Sequence, residues 1–236
     1  MAHLTGIPSR GIFWQVDRPT GFLDPLEGRF PCDVAIVGGG IAGLSAAQWL
    51  AENAPDLSVA LLEAGTCGAG ASGRSSGFIT PESELELKDL VRRFGSAGLR
   101  LWADATRACG SIRDNIRRFG IDCGFLEADS VYAATRPAGV KAVKEEHETR
   151  IAHGLPSRFY AGDATREILG SDAYLAALRY PDTFAIDPFA YLQGLRDVLL
   201  EKGVHIFEQS PVVHVGPDGA RGLRRKRPKR ARRPRR

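Results

Sequence analysis

The run Gly38–Gly43 constrains the fold of this chain more than any other feature. It has the sequence Gly-Gly-Gly-Ile-Ala-Gly, follows an apolar run from Asp33 to Val37, and precedes an amphipathic run from Ile41 to about Asn53. A second apolar run extends from Leu57 to Glu63. Short apolar runs rich in β-branched residues are typical of buried parallel strands. The order strand, helix, strand therefore predicts an α/β fold with a doubly wound sheet.

The glycine spacing is that of a dinucleotide phosphate site. Gly38 permits a tight turn, Gly40 lets the backbone approach a pyrophosphate, and Gly43 lets the helix pack closely on the strand. The first helical residues, Ile41 and Ala42, contribute N–H groups at the positive end of the helix dipole. The alternative is a glycine-rich turn that binds no ligand, but the flanking strands and helix favour a dinucleotide.

The end of the second strand adds a polar partner for the dinucleotide. Glu63 lies 20 residues after Gly43, where a carboxylate can accept hydrogen bonds from the ribose hydroxyls and disfavours a 2′-phosphate. A run of small residues, Gly68–Gly77, follows directly, and within it Arg74 offers guanidinium donors to a phosphate or a flavin. A flexible loop with a solvated arginine is the alternative for this segment.

Three stretches resemble the D-amino acid oxidase-like flavoproteins, the group of glycine and sarcosine oxidases, D-amino acid dehydrogenases and gamma-glutamylputrescine oxidoreductase. They are the segment from Trp14 into DVAIVGGGIAGLSAAQWL, then LLEAGTCGAGASGRSSG, and finally TFAIDPFAYLQGLRDVLLEKGVHIFEQSPV. The second stretch is the most specific. The resemblance covers about residues 12–218.

The resemblance implies that the cofactor is FAD. It implies contacts with the ADP half of FAD from Gly38, Gly40, Ile41, Ala42, Gly43, Glu63 and Ala64, and contacts along the pyrophosphate and flavin from Ala71, Ser72, Arg74 and Ser75. The backbone of Val212 would pair with the adenine, and family members often have Asn where this chain has Ser75. The implied reaction oxidises the C–N bond of an amine or amino acid by hydride transfer to flavin N5, after which the imine hydrolyses and oxygen or another acceptor takes the electrons. No catalytic residue is assigned.

The same resemblance, with the helical and extended patterns of the sequence, predicts the domain organisation. We expect a leader (1–30), the first part of the FAD-binding domain (31–94), part of an inserted α+β substrate domain (95–185), the second part of the FAD-binding domain (186–220) and a basic disordered tail (221–236). We expect helices over about 85–119, broken near Gly95 and Gly98, over 138–153, and from 188, where Asp187 caps the start, to an end at Gly203. Strands are expected within 122–135, 174–186 and 204–215.

The tail differs sharply from the rest of the chain. Residues 221–236 hold 11 of the 32 basic residues and no acid, so the remainder is acidic. A polybasic arm that binds nucleic acid or an acidic surface is one interpretation. The tail has no aromatic residue for base stacking and no nucleic-acid module, so such binding would be non-specific. The alternative is out-of-frame translation within a hairpin, because chains of the resembled family are longer and bind the substrate carboxylate through later segments. On that interpretation the chain is truncated, with weak or absent FAD retention and reduced or no activity. An inactive or polyanion-binding remnant and an NAD-binding dehydrogenase domain are the other functional alternatives.

Several further expectations concern the environment of the chain. No apolar run approaches the length of a membrane helix, and the N-terminus has no apolar signal segment, which favours the cytoplasm. The four cysteines show no metal-binding spacing and are expected to be buried free thiols. Core packing is the expected role of three tyrosines, with a substrate cavity as the alternative: Tyr132, Tyr174 and Tyr180. His205 and His214 are expected to serve packing or turns, and a solvated surface is expected around His147 and His153.

Overall fold

A computed structural model describes residues 13–15, 22–181, 183–216 and 219–222 of the chain. Its α-helices are α1 (Ile41–Asn53), α2 (Leu87–Phe94), α3 (Ser96–Phe119), α4 (Pro137–Ala152), α5 (Asp163–Leu169) and α6 (Pro188–Glu201). Its strands are β1 (Val34–Val37), β2 (Val59–Leu62), β3 (Phe78–Ile79), β4 (Leu126–Glu127), β5 (Ser130–Ala134), β6 (Arg158–Ala161), β7 (Ala176–Tyr180), β8 (Phe184–Ala185), β9 (His205–Phe207), β10 (Val212–Gly216) and β11 (Gly219–Gly222).

The described residues divide into two compact units. The first unit contains those up to Arg74 and those from Leu192 onward, and the second contains Ser75–Tyr191. The first unit is therefore built from two separate stretches of chain, and the second is one continuous stretch.

The first unit contains the predicted parallel sheet. Its strand order is β1-β2-β9, and both neighbouring pairs are parallel. All four residues of β2 are buried because this strand lies between the other two, and α1 buries Leu44 and Ala47. The predicted α/β class with a Rossmann-like nucleotide fold is confirmed, and the predicted span of α1 agrees with the structure.

Helix α6 begins and packs as its sequence predicts. The side chain of Asp187 accepts a hydrogen bond from the Ala190 N–H at 2.9 Å, which caps the helix start. Further along, the helix buries a row of leucines at helical spacing: Leu192, Leu195 and Leu199. The helix was predicted to end at Gly203, and in the structure it ends two residues earlier, at Glu201.

A hairpin follows β9. Strands β10 and β11 pair antiparallel, with Gly216 opposite Gly219. Strand β11 continues to Gly222, so the regular backbone extends two residues into the predicted tail, which begins at residue 221. Residues 223–236, and with them nearly all of the predicted basic tail, lie outside the described residues.

The second unit contains two antiparallel sheets and most of the helices. The larger sheet has the order β5-β7-β6, and a core of Ala134, Val143, Ala176, Leu178 and Tyr180 joins it to α4. The smaller sheet has the order β3-β8-β4. Gly95, with a φ of +53°, separates α2 from α3 at the predicted break, and Gly120, with a φ of +63°, caps α3.

Sequence patterns did not predict β3, β6 or α5. These elements have two, four and seven residues, too few for a periodic pattern to stand out. The cysteines form no disulfide, and three of the four are buried, whereas Cys32 is only half-buried because it precedes β1 near the surface. The expectation of a buried thiol at Cys32 was therefore wrong.

Candidate functional site

The glycine turn has the backbone that its sequence requires. Gly38 has a φ of +103°, a left-handed conformation that favours glycine, and its N–H donates to the Leu62 carbonyl at 2.8 Å. A Cβ atom on Gly43 would lie 1.9 Å from the Gly38 carbonyl oxygen, so only glycine lets α1 start so close to the turn. A side chain at Gly40 would lie 3.2 Å from the Ser72 hydroxyl. A Cβ atom on Gly38 would meet nothing within 4 Å, so a ligand can approach the backbone there.

The start of α1 is open to an anion. Gly40 is the N-cap, with extended backbone and no side-chain cap of its own, and the first turn contains no acid. The Ser72 hydroxyl accepts a hydrogen bond from the Ile41 N–H at 3.1 Å. The N–H groups of Ala42 and Gly43 have no carbonyl one turn earlier in the helix to bond with. Helix-start N–H groups of this kind bind phosphate.

Glu63 directly follows β2 and braces the glycine turn, which means that its carboxylate holds the turn in place by hydrogen bonds. Its Oε2 accepts a hydrogen bond from the Gly39 N–H at 2.7 Å, and its Oε1 accepts one from the Gly65 N–H at 2.7 Å. The sequence predicts a ribose contact here and does not predict this bracing. Each carboxylate oxygen has a second lone pair, so Glu63 can also accept a hydrogen bond from a ribose hydroxyl. The neighbouring Ala64 is exposed.

The small-residue segment after Glu63 forms a short helical turn, Ser72–Arg74. Arg74 is exposed, and its Nε donates to the Ala69 carbonyl at 2.9 Å, while the guanidinium has four further N–H groups. Ala71 is exposed and Ser72 is half-buried. Ser75 belongs to the second unit, where its hydroxyl lies 3.4 Å from the Gly77 nitrogen. The structure thus brings Ser72 to the start of α1, while Arg74 is held by its own loop.

Val212 is the remaining predicted site residue. It begins β10, is half-buried, and pairs with Gly222, and the register shifts between Val212 and His214. The residues present in the first unit fit a dinucleotide, since the Gly43 position excludes a side chain, the Gly38 backbone is open, and the helix start is free of acids.

A second carboxylate, which sequence reasoning missed, lies beneath this site. Glu208 is fully buried, and its Oε1 accepts hydrogen bonds from the Thr66 hydroxyl at 2.8 Å and the Cys67 N–H at 2.7 Å. Its Oε2 accepts one from the Leu23 N–H at 3.0 Å. Arg196 lies against it, with Nη1 3.4 Å from Oε1. This group holds the loop that leads from Glu63 into the small-residue segment.

The sequence contained a signal for Glu208. It follows β9, just as Glu63 follows β2, and the two strands are parallel neighbours. Carboxyl ends of parallel strands meet at one edge of a sheet, so an acid after each strand marks the same region.

The thiol of Cys67 lies in this buried group. Burial, followed by the nearby carboxylates of Glu208 and Glu63, raises the pKa of this thiol far above its usual range. The thiol therefore stays protonated and unreactive at neutral pH. Its backbone carbonyl accepts a hydrogen bond from Gln193 Nε2 at 2.5 Å.

Tyr180 and Tyr132 pack in the core of the second unit, and His205 and His214 are exposed. Tyr180 is buried, and the Arg150 guanidinium carbon lies 4.0 Å from its ring centre. Tyr132 packs on the same core, and burial raises its pKa. His147 Nδ1 lies 2.9 Å from the Ser157 hydroxyl. His147 therefore has a specific partner rather than only the solvated surface that the sequence predicts.

Within the described residues, no group of three or more His, Cys, Asp or Glu side chains could hold a metal ion. None of the helices in that part of the chain has the length and apolar character needed to cross a membrane.

Comparisons with known proteins agree with the geometry. Over 193 residues the chain is 30% identical to a probable oxidoreductase, OrdL, of Haemophilus influenzae, which covers 81% of this chain and 44% of that protein. It is 29% identical over 195 residues to the gamma-glutamylputrescine oxidoreductase of Escherichia coli, covering 82% and 45%. The crystal structure of glycine oxidase from Geobacillus kaustophilus matches with a TM-score of 0.63 at 24% identity, covering 77% and 47%. The chain thus spans less than half the length of these relatives.

The family model described as FAD dependent oxidoreductase matches residues 33–233, which include β1, the glycine turn, α1 and both acids at the sheet edge. The chain therefore belongs to the FAD dependent oxidoreductase family, whose cofactor is FAD.

Proposed function

We propose that the first unit binds FAD and that the chain is the nucleotide-binding part of an oxidoreductase that oxidises the C–N bond of an amine or amino acid. The glycine turn against Ser72 at the start of α1 is the observation that carries this proposal. The names of similar proteins support the substrate class, since they include gamma-glutamylputrescine oxidoreductase, glycine oxidase and L-amino acid deaminase.

Each part of the first unit has a role in this proposal. The N–H groups of Ala42 and Gly43 bind the pyrophosphate, and Glu63 accepts hydrogen bonds from the ribose while it braces the turn. Ser72 orients the helix start by its bond to the Ile41 N–H. Ala64, Ala71, Arg74, Ser75 and Val212 complete the proposed contacts.

FAD, when bound, supplies the two-electron oxidising capacity that C–N bond oxidation requires, with oxygen or another compound as the final acceptor. The protein supplies binding and orientation. The first unit provides phosphate donors and a ribose acceptor, and no residue of the chain is assigned to proton transfer.

Equilibrium titration of the purified chain with FAD tests this proposal, with quenching of flavin fluorescence as the signal. We expect saturable one-to-one binding and no comparable binding of NAD. We expect Gly43→Ala to weaken FAD binding by about 100-fold or more, because its Cβ would lie 1.9 Å from the Gly38 carbonyl oxygen and would force the turn apart.

Gly110→Ala is the matched control. Gly110 lies inside α3 with open space where a Cβ would be, so alanine is expected to stabilise the second unit by about 0.5–1 kcal/mol and to leave FAD binding unchanged. The proposal is wrong if the wild-type chain binds no FAD, or if it binds NAD as tightly as FAD.

A further inference from the structure

Glu208 is a charged group in a place where charge is costly. Its side chain has no exposed surface, and its ionic partner Arg196 has a side chain only 11% exposed. A buried ion pair seldom stabilises a fold more than apolar residues of the same size would, so its presence requires a more specific reason. The donors that it engages indicate that reason.

All the donors except Arg196 belong to backbone or side chains of irregular segments. Thr66 and Cys67 lie in the loop after Glu63, and Leu23 lies in the segment before β1. The N–H and hydroxyl groups of a loop have no hydrogen-bond partners in a helix or sheet. A buried carboxylate with two accepting oxygens therefore fixes their position. Gln209, next to Glu208, extends this attachment, since its N–H donates to the Gly65 carbonyl at 2.9 Å.

The same loop directly contacts the glycine turn. The Gly68 N–H donates to the Gly39 carbonyl at 2.9 Å, and Gly39 is so close to Cys67 that a Cβ there would lie 2.6 Å from Sγ. Glu63 joins Gly39 to Gly65 from the other side. A displacement of Cys67 would therefore be transmitted to the turn.

We propose that Glu208 is a positioning residue for the dinucleotide site, whose buried carboxylate holds Thr66 and Cys67 against the glycine turn before FAD arrives. This inference rests on the proposed function, because it names what organises the same site. Glu208 touches no part of the ligand. It lowers the cost of binding, since a loop that is already in place need not be ordered by FAD.

The test is Glu208→Gln, which keeps the shape of the side chain and removes its charge. One oxygen becomes an NH₂ group that cannot accept the loop N–H groups, so we expect the Kd for FAD to rise about tenfold or more. Glu146→Gln is the matched control, because Glu146 is a buried carboxylate paired with an arginine, Arg150, in the second unit. It is expected to lower the melting temperature and leave the Kd for FAD unchanged.

Alkylation of Cys67 provides a second measurement that does not need FAD. The peptide that contains Cys67 is quantified by mass spectrometry after timed exposure of the apo-protein to iodoacetamide at pH 8. We expect Glu208→Gln to accelerate modification about tenfold or more, because the loop opens and a carboxylate that opposes ionisation is removed. Glu146→Gln is expected to leave the rate unchanged, so general destabilisation is distinguished from local release.

Thr66→Val provides a milder variant should Glu208→Gln fail to fold. It removes one hydroxyl donor to Glu208 without changing the charge, and we expect changes of about threefold to tenfold in both measurements. A wild-type chain that binds no FAD contradicts the proposed function, while the alkylation rates still test whether Glu208 holds the loop. If FAD affinity and Cys67 alkylation are both unchanged in the folded variants, the role of Glu208 is refuted.

Discussion

Two buried ion pairs, one in each unit, differ in what they hold together. Glu146 and Arg150 lie one turn apart on α4, and the Arg150 guanidinium carbon lies 4.8 Å from the Trp102 ring centre and 4.0 Å from that of Tyr180. Glu208 and Arg196 instead attach irregular loops of the first unit to a strand end and a helix. The first pair therefore belongs to a packed core, and the second holds loops of the proposed FAD site.

The partners of the two carboxylates show the same contrast. Glu146 Oε2 accepts the N–H of Lys88, in the first turn of α2, at 3.0 Å, so this pair connects regular elements. Glu208 accepts hydrogen bonds from loop residues whose positions are not fixed by a helix or a strand. Loss of the first pair should reduce stability without affecting binding, and loss of the second should reduce binding more than stability.

The largest effect on stability is expected from Arg150→Met. It leaves the buried carboxylate of Glu146 without its partner and removes the contacts with two aromatic rings, which should lower the free energy of unfolding by about 3–5 kcal/mol. Urea denaturation followed by circular dichroism measures this loss. Arg107→Met is the control, since Arg107 is 73% exposed and pairs with Asp104 on the surface of α3. A loss below about 1 kcal/mol for Arg150→Met would contradict the structural role of the pair.

A smaller effect, confined to alkaline pH, is expected at Cys67. Its folded-state pKa is raised by burial and by Glu208 and Glu63, whereas the unfolded thiol loses its proton near pH 8.5. Below that pH both states keep the proton and stability is unaffected. Above it the unfolded state binds fewer protons, so this thiol lowers the free energy of unfolding by up to about 1.4 kcal/mol per pH unit.

The comparison of wild type with Cys67→Ala isolates this effect. Stability is measured by urea denaturation between pH 7 and pH 10, and the difference between the two proteins at pH 7 provides the baseline for lost packing. We expect the difference to shift in favour of the variant as the pH rises above about 9. A constant difference across the range would show that the thiol ionises equally in the two states.

The smallest effect on stability is expected from an exposed ion pair on α4. Lys141 Nζ lies 3.8 Å from Glu145 Oε1, one turn apart, and both side chains are largely in solvent. Glu145→Gln should lower the free energy of unfolding by about 0.5 kcal/mol or less, because solvent screens the pair. Comparison of this loss with that of Arg150→Met, on the same helix, measures how much more stability is lost when the broken ion pair is buried.

The sequence predicted those parts of the first unit in which particular residue types stand at a fixed spacing. The glycine turn, α1 and the acid after β2 follow a pattern in which each residue type has one physical reason, so their positions agree with the structure within two residues. The cap at Asp187 and the break at Gly95 were also predictable, since both depend on local backbone chemistry.

The bracing of the site could not be predicted in the same way. Cys67 and Glu208 lie 141 residues apart, and no local pattern shows that one donates to the other. Glu63 was predicted as a ribose acceptor, yet its bonds to Gly39 and Gly65 depend on how two loops meet. Such contacts follow from tertiary packing, which periodicity does not record.

The two-piece construction of the first unit has a consequence for its synthesis. Strand β2 is made early, but its neighbour β9 and the carboxylate of Glu208 are made only after the whole second unit, 141 residues after Cys67. At ribosomal rates that interval is roughly 7 to 28 seconds. During this time the second unit, as one continuous stretch, can complete its own fold, while the nascent glycine turn and Cys67 lack the acid that will hold them. Cofactor capture is therefore expected to be a late event in the biogenesis of this chain.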